Sequence, residues 1–314
     1  MNKLRVCCIS QYDAGGQNYL LAQAMRKYLD WDAVDLTAKQ TYLNYPCTWL
    51  AEGPERNVEM DTVKEFIETC DFIIMQELPY VPFADAIREK KIPGCVFALG
   101  SLARKNLRGL LGLQVKRGLR IAAPISDPTI SSYLLGTPFE NIMVDLDRLR
   151  PLVDGVKKQH DILAITAQTN TTLKGLNVME LVMKDLPDIT FLHLKDMAWE
   201  DHQRAKAKAH IMIDSIGDES YGLNCLEAMY MDQQVVSNIS PWCYALHPDL
   251  PIRSIHPTLT KMSIEDGIKY QVENARNQVR NGEADDRKDW VVHHFAPERV
   301  VKKWEMYIKW CMED

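Results

Sequence analysis

Residues 214–238 have the sequence DSIGDESYGLNCLEAMYMDQQVVSN. An apolar strand ends at Asp214. Glu219 and a Tyr221-Gly222 turn follow it, and a helical stretch then carries Glu227. The first turn of a helix offers free N–H groups and the positive end of the helix dipole, and a glycine there lets a phosphate approach the backbone. A carboxylate one turn along the helix accepts hydrogen bonds from a diol such as ribose, and Glu219 precedes the helix where a hexose would lie. The stretch therefore predicts a site for a phosphorylated sugar ligand at a strand-to-helix turn.

The sequence around this stretch alternates between short apolar runs and amphipathic runs. Apolar strands alternating with helices predict a parallel sheet covered by helices on both faces, so the second half of the chain is predicted to be Rossmann-like. The predicted elements are a strand at 161–166, a helix at 176–184, a strand at 189–194, a helix at 199–208, a strand at 210–214, a helix at 223–231 and a strand at 235–237.

The first half of the chain repeats the same rhythm, beginning with a strand at 3–10, a loop that contains Gly15 and Gly16, and a helix through Leu29. A helix at 61–69 is expected to begin at an Asp61 N-cap. The other predicted elements are strands at 33–36, 72–75, 95–99 and 120–125 and a helix at 83–89.

The pattern loses regularity over 144–158, which contains Pro151 and several charges, and this predicts a domain boundary. The sequence thus predicts two α/β domains, at 1–150 and 151–296. An amphipathic helix at 297–314 begins with a proline and is expected to pack back across the domains.

Composition limits the class of protein further. No stretch approaches the ~18 to 20 consecutive apolar residues of a membrane span, and the N-terminus has no signal-peptide core. The eight cysteines show neither Cys-x-x-Cys pairs nor metal-like spacing with histidine, which favours buried thiols in a reducing compartment. These features predict a soluble, cytoplasmic protein without a resident metal or cofactor.

The segment around Glu219 resembles the retaining family 4 glycosyltransferases, in which an aspartate-ending strand is followed by Glu-x-x-Gly and Leu-Glu-Ala-Met. Residues 219–222 and 226–229 fit these two elements. Lys174-Gly175, after the strand at 161–166, resembles the lysine-glycine element of the family. The resemblance implies a GT-B fold, with two Rossmann-like domains facing a central cleft, and the transfer of a sugar from a nucleotide diphosphate, UDP being the expected nucleotide.

The resemblance also implies roles for individual residues. Lys174 would meet the donor diphosphate, Glu219 the sugar and Glu227 the ribose. Arg104, in a Gly-Ser-x-x-Arg segment at 100–104, would assist Lys174 and Glu219 in catalysis. The complete predicted donor site is Gly15, Gly16, Lys174, Glu219, Ser220, Tyr221, Gly222, Leu223 and Glu227. Replacing Glu227 by alanine is expected to weaken nucleotide binding by about 1 to 3 kcal/mol without unfolding the protein.

Two departures from the family pattern bear on mechanism. Thr171 or a neighbour stands where relatives often carry an arginine, and all eight histidines lie at or beyond His160, so a histidine base from the first domain is excluded. Retaining transfer can proceed if the departing phosphate oxygen takes the acceptor proton. Lysine and amides can neutralise the leaving group, so metal independence is expected.

The charge distribution suggests an acceptor. Between Arg88 and Arg120 there are nine basic residues and one acidic residue, a net charge of +8, which leaves −14 for the rest of a chain whose total is −6. This segment is either solvated surface or an acceptor-side patch, with Arg104, Lys105 and Arg108 as the expected contacts. Three acceptors fit the sequence: a saccharide, a lipid-linked sugar and modified DNA. Two alternative functions are also open, namely a bacteriophage-type DNA glycosyltransferase that acts on hydroxylated modified bases and a non-catalytic sugar-nucleotide-binding protein.

Overall fold

The computed structural model describes residues 3–41, 43–76, 87, 90–99, 108–112, 120–124, 127, 137–167, 172, 174–283 and 286–313. The chain divides into two compact units. Unit 1 comprises Met1–Ile125, Thr129–Met143 and Phe295–Asp314, and unit 2 comprises Ser126–Pro128 and Val144–His294.

Unit 1 is built on a seven-stranded sheet in the order β3-β2-β1-β4-β5-β6-β7, in which every strand pair is parallel. Its central strands are buried on both faces, as expected for a parallel sheet between helices. The strands are β1 (Arg5–Ser10), β2 (Asp32–Thr37), β3 (Trp49–Leu50), β4 (Phe72–Gln76), β5 (Gly94–Phe97), β6 (Arg120–Pro124) and β7 (Thr137–Phe139).

Helices cover the two faces of this sheet. Helix α2 (Met60–Glu68) buries Val63 and Ile67 in one apolar cluster. Helix α1 (Gln17–Leu29) packs against the final helix, which runs over Pro297–Met312. That final helix is part of unit 1: Trp304 is fully buried, its ring lies edge-on to Phe97 with centroids 4.9 Å apart, and its Nε1 donates to the Asn141 carbonyl over 3.1 Å.

Unit 2 contains a five-stranded parallel sheet in the order β12-β11-β10-β8-β9. Its strands are β8 (Leu163–Thr166), β9 (Thr190–His193), β10 (Ile211–Ile213), β11 (Gln234–Ser237) and β12 (Arg253–Ser254). The helices from here to the C-terminus are α3 (Leu146–Val153), α4 (Leu176–Met183), α5 (Trp199–Lys206), α6 (Leu223–Tyr230), α7 (Pro241–Leu246), α8 (Pro257–Thr260), α9 (Ile264–Asn281), α10 (Arg287–Phe295) and the final helix, α11.

Two details differ from the sequence-based expectations. The units divide after Met143, whereas the predicted boundary at residue 150 falls inside α3. Leu146, Leu149 and Val153 form a buried stripe on that helix, which packs against α5 of unit 2 and tolerates Pro151. Helix α2 begins at Met60 rather than at an Asp61 cap. Asp61 lies in the first turn, where its negative charge interacts favourably with the positive end of the helix dipole. The predicted helix at 83–89 lies largely outside the described residues.

Candidate functional site

The site in unit 2 lies where the order of the strands reverses. The chain passes from β8 outward to β9, then crosses to β10 on the opposite side of β8. In open parallel sheets, ligands bind outside the carboxyl ends of the strands at such a switch point. Lys174 follows β8 and Asp214 follows β10, and Lys174 Nζ lies 3.5 Å from Asp214 Oδ1. The lysine side chain is 24% exposed and the aspartate 2%, so a buried carboxylate holds a cation that reaches solvent.

The loops after β8, β10 and β11 are joined by hydrogen bonds. The Ile216 N–H donates to the Lys174 carbonyl over 3.1 Å, and Asn238 Nδ2 donates to the Ile216 carbonyl over 2.7 Å. Gly175, which begins α4, has φ +75°, and a Cβ on it would lie 3.0 Å from Ile216 Cβ. A glycine is therefore required beside Lys174 both for its backbone conformation and for the close approach of the β10 loop.

The N-terminus of α6 is the predicted phosphate contact. Gly222 caps this helix without a side-chain hydrogen bond to its first turn, and the space that a Cβ on Gly222 would occupy is open. Asn224 Nδ2 ties the first turn to the Ala167 carbonyl over 2.9 Å, so the helix start is fixed to the loop after β8. The Lys174 loop and the helix N-terminus are thus coupled.

The remaining residues of the predicted turn differ in exposure. Ser220 and Tyr221 are buried, and the Tyr221 ring lies against Trp290 with centroids 6.4 Å apart. Leu223 is partly buried. Tyr221 therefore packs within unit 2, whereas Gly222 and Leu223 keep part of their surface exposed.

Glu219 is about half exposed and has a histidine neighbour that the sequence analysis did not identify. Its Oε1 lies 3.4 Å from His256 Nε2. His256 Nδ1 accepts the Thr258 N–H at 3.2 Å, where it caps α8. A nitrogen that accepts carries no proton, so a neutral His256 ring has its proton on Nε2, directed at Glu219.

Glu227 lies in a buried polar cluster that the sequence analysis also missed. Its Oε2 accepts from Lys206 Nζ at 2.6 Å and from Gln203 Nε2 at 2.8 Å, and its Oε1 accepts from Trp199 Nε1 at 3.2 Å. Lys206 is fully buried and also donates to Asn224 Oδ1 at 3.1 Å. The three donors to Glu227 recur four and three positions apart on α5, a helical spacing that would have identified one polar face.

The surroundings of this cluster are apolar and cationic. The pKa of the His202 imidazole is lowered to about 4, chiefly by burial and to a smaller extent by Lys206, while Glu227 opposes the shift. The Arg148 guanidinium lies over the Trp199 ring, 4.3 Å from its centroid. His202 is therefore neutral at physiological pH.

In unit 1, Gly15 and Gly16 follow β1 at the corresponding reversal, between β1 and β4. Both have positive φ, and a Cβ on Gly16 would lie 2.7 Å from the Tyr45 ring. The preceding Asp13 accepts the backbone N–H groups of Asn18 and Tyr19 at 3.0 Å each, and burial raises its pKa to about 7. The glycines thus make a tight turn after the carboxyl end of β1, which is the kind of position at which open parallel sheets generally bind ligands.

The structure describes only part of the basic segment from Arg88 to Arg120. Arg104, Lys105, Gly100, Ser101 and Thr171 all lie outside the described residues. Arg108 is exposed, whereas Arg120 lies over the Trp310 ring at 3.3 Å from its centroid. Arg120 is therefore committed to packing against α11.

Comparison with solved structures identifies the fold. A glycosyltransferase from Rickettsia africae aligns over 100% of both chains with a TM-score of 0.67 and 11% identity. HepE from Anabaena in complex with UDP aligns over 98% of this chain and 100% of its own, with a TM-score of 0.64 and 13% identity. An α-glucosyltransferase in complex with UDP and a 13-mer DNA gives the same coverage, a TM-score of 0.61 and 13% identity. The chain has the GT-B fold. No family model and no curated protein matches its sequence.

The predicted fold class is confirmed by these GT-B structures, with two parallel-sheet α/β units and a C-terminal helix. Among the described helices, none is both long enough and apolar enough to cross a membrane. All eight cysteines are free thiols, and six of them are buried.

Proposed function

We propose that this GT-B chain is a metal-independent, cytoplasmic glycosyltransferase that takes its sugar from a UDP-linked donor and transfers it with retention of configuration. The observation that carries the proposal is the Lys174–Asp214 pair at the β8/β10 switch point, beside the open N-terminus of α6. A cation and a helix N-terminus together form a site for a diphosphate. The UDP and UDP-glucose complexes of HepE, which shares the fold, make UDP the donor nucleotide to test first.

In this proposal, Lys174 binds the diphosphate, and the first-turn amides after Gly222 bind its oxygens. Glu219, which is exposed, accepts hydrogen bonds from the sugar hydroxyls, and Glu227 accepts hydrogen bonds from the ribose hydroxyls. Gly15 and Gly16, in the loop after β1, are proposed to belong to the donor site as well, as the family 4 resemblance implies. Ser220, Tyr221 and Leu223 shape the turn.

The chemical step breaks the bond between the anomeric carbon and the β-phosphate oxygen and forms a bond from that carbon to an acceptor hydroxyl oxygen on the same face. The departing phosphate oxygen takes the acceptor proton. Negative charge grows on the diphosphate in the transition state, so Lys174 contributes more to turnover than to ground-state binding. Arg104 is proposed to add a second positive charge there.

A DNA acceptor is the second candidate, and two observations favour it. The segment from Arg88 to Arg120 carries a net charge of +8 in an acidic chain. One protein of the same fold is an α-glucosyltransferase bound to UDP and DNA. In this version of the proposal, Arg104, Lys105 and Arg108 contact the phosphate backbone of DNA that carries a hydroxylated base.

The test begins with a panel of nucleotide sugars, scored by thermal shift. The best donor is then incubated with enzyme and no acceptor, and released UDP is measured for the parent protein, Lys174→Ala and the matched surface variant Lys184→Ala. UDP release that requires Lys174 but not Lys184 supports the enzyme. Tight binding of the donor without hydrolysis, and without transfer to saccharide, lipid-linked or DNA acceptors, would instead identify a sugar-nucleotide-binding protein.

A further inference from the structure

The α5 cluster around Glu227 has an unusual composition for a protein interior. Lysine is almost never fully buried unless it is paired. Lys206 has no exposed side-chain surface, and the side chain of its partner Glu227 is only 4% exposed. Burying both charges is expensive, and an apolar pair of similar volume is often equally stable. Stability alone is therefore a weak reason for placing an ion pair at this position.

The geometry of the cluster leaves hydrogen-bonding capacity on one side. Glu227 Oε2 accepts two hydrogen bonds, whereas Oε1 accepts one, from Trp199. An ionised carboxylate oxygen has about two acceptor sites, so Oε1 retains one. Because Glu227 only accepts, Gln203 must turn its Nε2 toward the carboxylate. This leaves the buried Gln203 Oε1 without a hydrogen-bond partner among the described residues.

Two acceptor positions, one on Glu227 Oε1 and one on Gln203 Oε1, therefore have no donor among the described residues. A buried acceptor without a donor is costly, and a ligand hydroxyl would satisfy it. The cluster is joined to the predicted phosphate contact, since Lys206 also binds Asn224 in the first turn of α6. The unmet acceptors are thus coupled to the start of the helix that we propose to bind the diphosphate.

We propose that Lys206 is a positioning residue for the donor nucleotide: with Trp199 it orients the Glu227 carboxylate so that the carboxylate accepts a hydrogen bond from the ribose 2′-hydroxyl. Lys206 acts through Glu227 and does not itself touch the donor. This inference rests on the proposed role of Glu227 as the ribose contact. It assigns to α5 the discrimination of ribonucleotides from deoxyribonucleotides.

The test compares the affinities of UDP and 2′-deoxy-UDP by calorimetry. A hydrogen bond to a charged acceptor predicts that the parent protein prefers UDP by roughly tenfold or more. Glu227→Gln and Lys206→Met are each expected to bring this ratio close to one while 2′-deoxy-UDP binding is largely kept. The control is Lys208→Met, an exposed lysine near the end of the same helix, which should retain the parent ratio.

The double variant Glu227→Gln/Lys206→Met shows whether Lys206 changes the ratio of UDP affinity to 2′-deoxy-UDP affinity through Glu227 or independently of it. If Lys206 acts through Glu227, the double variant has the ratio of Glu227→Gln alone. Should Lys206→Met fail to fold by circular dichroism, Trp199→Phe decides the matter, because it removes the donor to Oε1 and keeps a ring beneath Arg148.

The outcomes distinguish the two proposals. If Glu227→Gln loses the preference for UDP but folded Lys206→Met, or Trp199→Phe in its place, keeps it, the positioning role is overturned and the ribose contact stands. Equal loss of both nucleotides in these α5 variants also overturns it, since that is a general structural effect. If the parent protein shows no preference, or Glu227→Gln retains it, the proposed ribose contact itself fails.

Discussion

Lys174 Nζ and Asp214 Oδ1 lie 3.5 Å apart across the gap between the carboxyl ends of β8 and β10. The other oxygen of Asp214, Oδ2, accepts from Cys225 Sγ at 3.1 Å, so the carboxylate is also linked to α6. A surface lysine has several rotatable bonds and little reason to hold one position. The buried aspartate supplies that reason, and through Cys225 it also links the ammonium group to α6.

The first prediction concerns Lys174. We expect Lys174→Ala to lower kcat by about 100-fold or more, as for loss of a single transition-state contact, while the Kd for UDP changes much less. Steady-state kinetics with the best donor and calorimetry with UDP provide the two numbers. Lys184→Ala is the matched control, being an exposed lysine at the end of α4. Near-parent kcat in folded Lys174→Ala would remove this lysine from the reaction.

The second prediction concerns stability. Glu227→Ala would leave Lys206 buried without its carboxylate, and removing one partner of a buried pair costs about 3 to 5 kcal/mol. This revises the sequence-based expectation that the variant keeps its fold intact. Urea unfolding should show the loss for Glu227→Ala and a smaller one for Glu227→Gln, which keeps a hydrogen-bond acceptor. Glu180→Ala, an exposed glutamate on α4, should be nearly neutral. Parent-like stability of Glu227→Ala would mean that the pair contributes nothing to folding.

The third prediction concerns pH. The pKa of His202 falls from 6.5 to about 4 on folding, chiefly through burial. The unfolded chain therefore takes up a proton between pH 6.5 and 4 that the folded chain rejects, and the free energy of unfolding decreases as pH falls through this window. Above pH 6.5 the contribution is constant.

The measurement for His202 is urea unfolding at pH 7.5, 5.5 and 4.5. Relative to His202→Gln, the parent protein should lose about 2 kcal/mol more between pH 7.5 and 4.5. His160→Gln serves as the control because its parent side chain is fully exposed. Parallel curves for the parent protein and His202→Gln would contradict the buried neutral histidine.

The sequence was sufficient to predict the architecture because helix and strand periodicities differ and parallel strands are apolar on both faces. The strand-to-helix turn at Gly222 and helix α6 were also predicted closely: α6 runs over Leu223–Tyr230 against an expected 223–231. The boundary between units was harder to predict, since Pro151 and the charges around it obscured the buried stripe of α3.

The partners of the site residues could not be predicted in the same way. Lys206 is 21 positions from Glu227, and His256 is 37 positions from Glu219. Contacts of this kind depend on which strands become neighbours and in what register. A lone glutamate on a helix gives no sign that its carboxylate is buried against a lysine of the preceding helix. The roles of Glu219 and Glu227 in donor binding stay predictions.

The fourth prediction is that turnover survives chelation. Lys174 and the first-turn amides of α6 are proposed to neutralise the leaving diphosphate without a divalent cation. Enzyme treated with EDTA and assayed in metal-free buffer should retain its parent kcat. Activity that disappears with EDTA and returns with magnesium or manganese would contradict the proposal.

The last prediction concerns the basic segment from Arg88 to Arg120, which is proposed to guide DNA. A net charge of +8 against −14 elsewhere would attract a polyanion to one face and repel it from the rest. If Arg104, Lys105 and Arg108 each contact a phosphate, the plot of log affinity against log salt concentration should have a negative slope. Each contact contributes about −0.9 to that slope on duplex DNA and about −0.7 on single-stranded DNA.

The measurement is DNA affinity across a salt series for the parent protein and for the triple alanine variant of Arg104, Lys105 and Arg108. The variant should bind more weakly at low salt and show a slope shallower by about 2.7 units on duplex DNA, because three phosphate contacts are lost. Arg120 is left unchanged because its guanidinium lies over Trp310, and altering it would disturb the packing of α11. UDP affinity, measured in parallel, verifies that the donor site is intact. If the triple variant binds DNA as the parent does while UDP binding is unchanged, the segment is solvated surface and the acceptor is to be sought among uncharged saccharides or lipid-linked sugars.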